Sequence, residues 1–276
     1  MIYGKINGIE KKISKFILGN DYLKKYSQAK KLWDFYFDNG GNTFDNSIYY
    51  REGLTENFLG KWIKSRNCEK EIVIISKVGS SNTKPSEILD LLKISLDRLK
   101  LSSLDILILH HDNINIPIGE FVDSFNELIN KRLIKSFGIS NVEIKRFEDS
   151  IIWAKKNNKL NFKIINNNLS LAKMFKPLWH DSISSNSEEY LKFLEINQIN
   201  HFSWSSQARG YFTDENFIKS IFRRKFKKYL RNCFNNSENS ERKKRSKELA
   251  IKYNCSSNDI ALSWVINQKF PSYAII

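Results

Sequence analysis

The sequence predicts a (β/α)8 barrel, in which eight parallel strands alternate with helices. Eight short apolar runs have the length of buried strands, helical patterns lie between them, and polar residues directly follow several runs. Such alternation is typical of parallel strands joined by right-handed crossovers. We expect a single domain over residues 1–276, because one barrel of this length is ordinary.

The expected strands are short apolar segments spread along the whole chain. They cover residues 16–18, 42–44, 72–76, 106–109, 134–138, 162–165, 201–204 and 273–276.

The expected helices carry apolar residues three and four positions apart, which places those residues on one face. In the third helix, Ile88, Leu91, Leu92, Leu96 and Leu99 follow this spacing. The helical ranges are 27–39, 55–66, 86–99, 119–131, 144–157, 188–196 and 258–267. We expect one further helix at 241–253, inserted before the last repeat, and a long polar loop at 174–186 over the open face.

Four polar residues follow the second, third and fourth expected strands. They are Asp45, Tyr50, Lys77 and His110. In a parallel barrel the carboxyl ends of the strands meet at one open face, so these side chains would lie close together. An acid, a phenol, an amine and an imidazole that meet in this way predict a proton-transfer site.

The chemistry of such a site accounts for each residue type. A phenol, whose unperturbed pKa is about 10, donates a proton poorly near neutrality unless a cation stabilises the phenolate. Lys77 would supply that charge for Tyr50, and Asp45 would keep the lysine protonated and in place. His110 would hydrogen-bond a substrate carbonyl and orient it. Tyr50 is then the predicted general acid, a role typically worth on the order of 10²–10⁴ in rate.

At these residues the chain resembles the aldo-keto reductase family, whose second strand carries Phe-Asp-Thr-Ala-x-x-Tyr. The segment 44–50 reads Phe-Asp-Asn-Ser-Ile-Tyr-Tyr, and 53–60 resembles the family's Gly-x-Ser-Glu-x-x-Leu-Gly. Ile-Ser-Lys and Leu-Asp-Ile-Leu-Ile-Leu-His follow in the family order, ending at Lys77 and His110. The resemblance continues through 135–141, 169–172 and 204–210. The last of these, Trp-Ser-Ser-Gln-Ala-Arg-Gly, looks like one bacterial-type subgroup.

The resemblance implies NADPH as the cofactor, with NADH possible. Ser140 and Asn141 would hold the nicotinamide carboxamide, helped by Asn166 or Asn168 in place of the family's glutamine. Small residues let backbone N–H groups approach a pyrophosphate. The resemblance assigns that contact to Ser205, Ser206, Gln207, Ala208, Arg209 and Gly210. No Gly-x-Gly-x-x-Gly follows any expected strand, which disfavours a Rossmann cofactor domain.

The sequence departs from the family pattern at its end. Members of the family continue after the eighth strand with a glycine, with residues that grip the adenosine ribose and its 2′-phosphate, and with a closing helix. This sequence stops at Ile276. We therefore expect the last helix to be missing, stability to be marginal, and discrimination between NADPH and NADH to be poor.

The net charge of +15, with basic clusters at 223–228 and 242–245, raises the alternative of a nucleic-acid binder. Lys, Asn and Ile are used heavily throughout the chain, which indicates a general bias in residue usage. We therefore interpret the basic clusters as solvated helix faces and expect no nucleic-acid partner. No stretch approaches the about 20 apolar residues of a membrane span, and no signal-peptide pattern opens the chain. We expect a cytoplasmic protein, monomeric or weakly oligomeric, with no membrane partner.

Metal chemistry is not expected. His110, His111 and Asp112 include common ligand types, but adjacent residues in an extended segment point to opposite sides. Cys68, Cys233 and Cys255 lack the spacing of a zinc site or of a disulfide framework, so reduced thiols are expected.

The leading hypothesis is NAD(P)H-dependent reduction of a small-molecule aldehyde or ketone. The alternative is a catalytically weak or inactive barrel protein that acts as an interaction or sensory protein. Cofactor consumption separates these two. Steeply salt-dependent DNA affinity would indicate the third hypothesis, a basic nucleic-acid binder.

Overall fold

The computed structural model describes residues 1–213 and 232–276, which divide into two compact units, Met1–Asn166 and Asn167–Ile276. Eight parallel strands follow one another in the order of a closed barrel. This confirms the predicted fold class. That the whole chain forms a single domain stays a prediction, and each unit is described by itself below.

The first unit begins with a short antiparallel hairpin that was not predicted from the sequence, β1 (Tyr3–Gly4) and β2 (Ile13–Ser14). Six strands follow and pair in parallel, each with the next along the chain. They are β3 (Phe16–Gly19), β4 (Thr43–Asp45), β5 (Val73–Val78), β6 (Leu104–Leu109), β7 (Ile134–Ser140) and β8 (Ile164–Asn166).

Helices connect these strands. They are α1 (Tyr26–Asp38), α2 (Leu54–Arg66), α3 (Ile88–Leu99), α4 (Ile118–Asn130) and α5 (Ile144–Lys156). Four of the five residues predicted for the inner face of α3 are buried, whereas the fifth, Leu91, is half-buried. The helix ends where Lys100 adopts a left-handed backbone conformation.

Aromatic side chains fill the space between β4 and its neighbouring helices. Trp33 and Trp62 are fully buried, with ring centroids 5.9 Å apart, and Phe44 lies 5.2 Å from Trp62. The indole nitrogen of Trp33 donates to Asn20, 2.8 Å away, so burial leaves this polar atom paired. This packing fixes β4, the strand that carries Asp45.

The second unit contains α6 (Glu188–Asn197), β9 (Asn200–Ser203), α7 (Ser237–Tyr253), α8 (Ser257–Ile266) and β10 (Ser272–Ile275). Strands β9 and β10 pair in parallel. Helix α7 begins four residues before its predicted start, because the side chain of Asn236 accepts from the amide of Asn239 and caps it. The predicted loop at 174–186 forms no helix or extended strand.

Other predicted boundaries are shifted by small amounts. The last three strands each begin or end one or two residues from the expected positions, the usual scale of uncertainty at strand ends. The basic cluster at 242–245 lies in α7, whereas the cluster at 223–228 falls outside the described residues. Among the helices described, none is long and apolar enough to cross a membrane.

Candidate active site

All four predicted catalytic residues lie in the first unit, at or just after the carboxyl ends of β4, β5 and β6. Asp45 is the last residue of β4 and Lys77 the second last of β5. His110 follows β6, and Tyr50 opens a short 3-10 turn after β4. Strand pairing places Asp45 beside Ile75 and Lys77 beside Ile108, so neighbouring strands end at one level.

Asp45 and Lys77 form a buried ion pair. Each residue is only 2% exposed, and the Lys77 ammonium donates to Asp45 Oδ1 and to the carbonyl of Asn46, 3.2 Å away. Burial raises the pKa of the Asp45 carboxyl, and the charge of Lys77 works against this rise. The pair fixes the ammonium group in position at the end of β5.

The lysine lies next to the phenol ring of Tyr50. Lys77 Nζ is 4.9 Å from the ring centroid, within the range in which a cation and an aromatic face attract each other. The rings of Tyr50 and His110 meet edge to face at 5.9 Å. The structure therefore brings the acid, the amine, the phenol and the imidazole into one cluster.

His110 is a neutral imidazole near pH 7. Burial, the charge of Lys77 and the neighbouring His111 hold its pKa well below the ordinary value. Its Nδ1 lies 3.1 Å from the hydroxyl of Ser47. A neutral ring has one donor and one acceptor nitrogen, so the contact at Nδ1 determines what Nε2 offers to a substrate.

Arg98 of α3 stabilises the turn that carries Tyr50. Its guanidinium donates to the carbonyl of Ile48 at 2.9 Å and contacts the fully buried Glu56 at 3.4 Å. Gly53 has φ +86°, and a Cβ there would lie 2.0 Å from the Arg98 guanidinium. Only glycine fits this position without displacing the arginine.

Sequence reasoning did not assign a role to Ser47, Glu56 or Arg98. Ser47 and Glu56 lie inside the motif segments, but nothing in their spacing shows which side chains they contact. A glutamate at a buried helix position is the one available signal, because a buried carboxylate requires a partner.

Ser140, Asn141 and Asn166 come together at the ends of β7 and β8. Ser140 pairs with Asn166 in the strand register and donates its hydroxyl to the Asn166 carbonyl at 2.7 Å. The side-chain amide of Asn141 donates to the Ser140 hydroxyl at 3.1 Å. Asn141 has φ +54°, which turns the chain sharply as it leaves the strand.

The other predicted cofactor residues belong to the second unit. The side chain of Asn168 donates to the carbonyl of Trp204 at 3.0 Å and accepts from Ser184 at 3.2 Å. Asn168 therefore braces its own loop, which favours Asn166 of the two asparagines left open by the sequence.

Residues 205–210 form a tight turn in the same unit. Ser205, Ala208, Arg209 and Gly210 all have positive φ. The amides of Ala208 and Gly210 donate inside the turn, to the carbonyls of Ser205 and Gln207. The hydroxyl of Ser206 donates to the backbone carbonyl of Ile275 at 2.6 Å. These bonds set the shape of the turn, and they occupy two of the backbone N–H groups.

The expectation that the side chains of His110 and His111 point to opposite sides is wrong. Their rings do not point apart but lie 4.8 Å from each other, because β6 ends at Leu109 and the chain bends immediately afterwards. Asp112 instead pairs with Arg146 of α5, with Oδ2 2.6 Å from Nε. In the part of the chain that is described, no three His, Cys, Asp or Glu side chains group as metal ligands would. All three cysteines are free thiols.

The sequence model described as "Aldo/keto reductase family" matches residues 18–276. That range holds every residue predicted for catalysis and cofactor binding.

Individual relatives are distant. Aldo-keto reductase AFTS1 of Alternaria alternata is 20% identical over 278 residues, which cover 89% of this chain and 73% of that protein. An aldo-keto reductase of Gibberella moniliformis is 25% identical over 268 residues, covering 92% and 76%. The solved structure of a Klebsiella pneumoniae aldo-keto reductase in complex with NADPH gives a TM-score of 0.74 at 17% identity, covering 100% of this chain and 85% of that one. At this identity the structural likeness shows the fold alone.

Proposed function

Because the chain belongs to the aldo/keto reductase family, we propose that it reduces an aldehyde or a ketone to an alcohol with NADPH. Tyr50 is the general acid of this reaction. The observation that carries the proposal is the buried Asp45–Lys77 pair, with Lys77 Nζ 4.9 Å from the Tyr50 ring. The cation stabilises the phenolate that remains when Tyr50 gives its proton to the carbonyl oxygen.

The other residues of the cluster serve this proton transfer. Asp45 holds the ammonium group in place, and burial of the pair strengthens its electrostatic effect on the phenol. His110 orients the substrate through a hydrogen bond. Arg98 keeps the turn that carries Tyr50 in position.

For the cofactor we propose the one seen in the Klebsiella pneumoniae structure, NADPH, with NADH as an alternative. NADPH supplies the hydride when it is bound. Hydroxyl and amide groups of Ser140, Asn141 and Asn166 lie together and offer the donors and acceptors that a carboxamide requires. The turn from Ser205 to Gly210 is proposed for the pyrophosphate. The net charge of +15 favours a phosphorylated ligand in either case.

Three further properties of the chain stay predictions. They are the bacterial-type subgroup indicated by residues 204–210, a cytoplasmic location, and a monomeric or weakly oligomeric state without nucleic-acid or membrane partners.

The test is NADPH oxidation measured with a panel of aldehydes and ketones, alongside NADPH and NADH titrations of the tryptophan fluorescence. Tyr50→Phe should remove most carbonyl reduction and leave cofactor affinity nearly unchanged, because it deletes only the transferable proton. Tyr49→Phe is the matched control, since this neighbouring tyrosine is 45% exposed and has no assigned role.

Unaltered turnover in Tyr50→Phe would refute the assignment of the general acid. Cofactor binding without any consumption across the panel would favour the alternative, a catalytically inactive interaction or sensory protein.

A further inference from the structure

The hydroxyl of Ser47 contacts three groups of the active site. Ser47 is fully buried in the segment between β4 and Tyr50. Its Oγ lies 3.1 Å from the carbonyl oxygen of Lys77, 3.1 Å from His110 Nδ1 and 3.3 Å from the amide of Tyr49. A serine hydroxyl has one proton to donate and two lone pairs that accept.

Two of these three contacts have a fixed direction. The Lys77 carbonyl can only accept, and the Tyr49 amide can only donate. If the Ser47 proton goes to the carbonyl, both lone pairs remain, one for the Tyr49 amide and one for a proton on His110 Nδ1. All three contacts are then hydrogen bonds.

The opposite assignment leaves one contact without a proton. If Ser47 donates to His110 Nδ1, its oxygen faces the Lys77 carbonyl oxygen at 3.1 Å with no hydrogen between them. The Lys77 carbonyl also accepts from the amide of Ile48 at 3.1 Å, and its two lone pairs accommodate both donors. The arrangement is therefore built around a Ser47 proton that points at Lys77.

We propose that Ser47 holds His110 in the Nδ1–H tautomer, so that Nε2 accepts a hydrogen bond from a hydroxyl group of the substrate. Ser47 is thus a positioning residue, and the inference rests on the proposed carbonyl reduction for its consequence in turnover. It differs from the expectation that His110 donates to the carbonyl, because in this tautomer Nε2 carries a lone pair.

The inference narrows the class of substrate. A carbonyl oxygen has only lone pairs and gains nothing from an accepting nitrogen. A 2-hydroxy ketone or aldehyde places a hydroxyl donor on the carbon next to the carbonyl. The rings of Tyr50 and His110 lie 5.9 Å apart. The carbonyl oxygen of such a substrate can therefore face Tyr50 while its hydroxyl faces His110.

The tautomer can be measured without any turnover. Protein labelled with heavy nitrogen in its histidines gives separate NMR signals for protonated and unprotonated ring nitrogens, and the His110→Gln variant identifies the His110 pair. We expect Nδ1 to be protonated and Nε2 unprotonated in the intact protein. Ser47→Ala should move the pair toward the Nε2–H tautomer, and Ser47→Thr, which keeps the hydroxyl, should restore it.

A matched control lies in the second unit. Ser203→Ala removes a hydroxyl that is 2.9 Å from Nδ1 of the buried His201. It should alter the signals of His201 and leave those of His110 unchanged.

The kinetic test compares hydroxyacetone with butanone, in which a methyl group replaces the hydroxyl. When Ser47 becomes alanine and Nε2 carries the proton, Nε2 can donate to the carbonyl oxygen of either ketone, so butanone gains a hydrogen bond while hydroxyacetone only exchanges one for another. The preference for hydroxyacetone over butanone should therefore fall by about five- to tenfold. Differences in intrinsic reactivity cancel, because the ratio is compared between the two proteins.

The outcomes separate this inference from the proposed function. A protonated Nε2 in the intact protein, or a tautomer that Ser47→Ala leaves unchanged, would overturn the inference even if both ketones are reduced. An Nδ1–H tautomer together with no reduction of any carbonyl compound would support the role of Ser47 and contradict the proposed function.

Discussion

Replacement of Lys77 by methionine tests the coupling between the buried ion pair and the proton donor. Both side chains of the pair are 3% exposed, so removal of Lys77 leaves the Asp45 carboxylate buried without its opposing charge. Breaking a buried pair in this way costs about 3–5 kcal/mol, against the about 5–15 kcal/mol that holds a typical domain together. Lys77→Met should therefore lower the unfolding midpoint in urea clearly.

The double variant Asp45→Asn with Lys77→Met distinguishes charge from packing. It keeps the volume of both side chains and removes both charges, so most of the lost stability should return. Lys100→Met is the control, because the side chain of Lys100 is 60% exposed in its pair with Asp97 and such pairs contribute at most about 1 kcal/mol.

The effect on turnover follows from the distance between lysine and phenol. Lys77 Nζ lies 4.9 Å from the centroid of the Tyr50 ring. If this distance is taken as the separation of ammonium and phenolate, at an effective dielectric constant of about 20, the attraction is about 3 kcal/mol, which corresponds to about 10²-fold in rate. Lys77→Met should reduce turnover by about that factor and shift its pH profile. Asp45→Asn should act more mildly, through the lysine.

Stability should also depend on pH in a defined direction. Burial already raises the pKa of Asp45, and loss of Lys77 removes the charge that opposes this rise. A carboxyl with a raised pKa in the folded state contributes stability below its unfolded pKa of about 3.9, and this stability is lost as pH rises through the folded pKa. Acidification should therefore narrow the stability gap between Lys77→Met and the unaltered protein. An unchanged rate, pH profile and urea midpoint would refute the proposed coupling.

Three further predictions concern other parts of the fold. His201 is buried, and burial lowers its pKa to about 3, so between pH about 7 and 5 only the unfolded state takes up this proton. The free energy of unfolding should therefore fall by about 2 kcal/mol over that range. Urea titrations at the two pH values should show that His201→Gln abolishes this loss. Arg146→Leu leaves the Asp112 carboxylate, whose side chain is 6% exposed, without its partner and should lower the stability measured by thermal unfolding by at most about 3–5 kcal/mol. Arg146→Lys keeps the positive charge and should cost clearly less. Equal losses in the two variants would show that the charge is unimportant. Gly60→Ala puts a Cβ 2.6 Å from the backbone oxygen of Leu99 and should destabilise by about 1–3 kcal/mol in urea, and a neutral result would contradict the close approach of α2 and α3.

The sequence predicted those features that follow from strand ends. Asp45, Lys77 and His110 lie at or directly after buried strands, and a parallel barrel brings strand ends together whatever the loops between them do. The clustering of these residues with Tyr50 therefore followed from their order and their distance from the strands.

Contacts that depend on side-chain direction did not follow from the sequence. Ser47 meets His110 across 63 positions, and Arg98 meets the carbonyl of Ile48 across 50. Spacing in sequence does not encode such pairs. The error at His111 has the same origin, since the alternation of an extended strand was carried past Leu109, where β6 ends.

The unpredicted elements depend on local capping and pairing. The hairpin of β1 and β2 has only two residues in each strand, too few to show a period. Helix α7 gained its first turn from the side chain of Asn236, which lies before the apolar pattern begins. The hydrogen bonds of the Asn168 side chain likewise depend on where the fold places Trp204 and Ser184, which the sequence does not show.

The central claim is that this chain passes a hydride from a nicotinamide to a carbonyl carbon while Tyr50 protonates the oxygen. The most direct measurement uses NADPH that carries deuterium at its transferable position, with hydroxyacetone as the carbonyl compound and mass spectrometry of the alcohol product. The account predicts one deuterium on the former carbonyl carbon with the unaltered protein, and almost no labelled alcohol with Tyr50→Phe at saturating cofactor. Alcohol that forms without deuterium, or equal labelled product from the Tyr50→Phe variant, would contradict it.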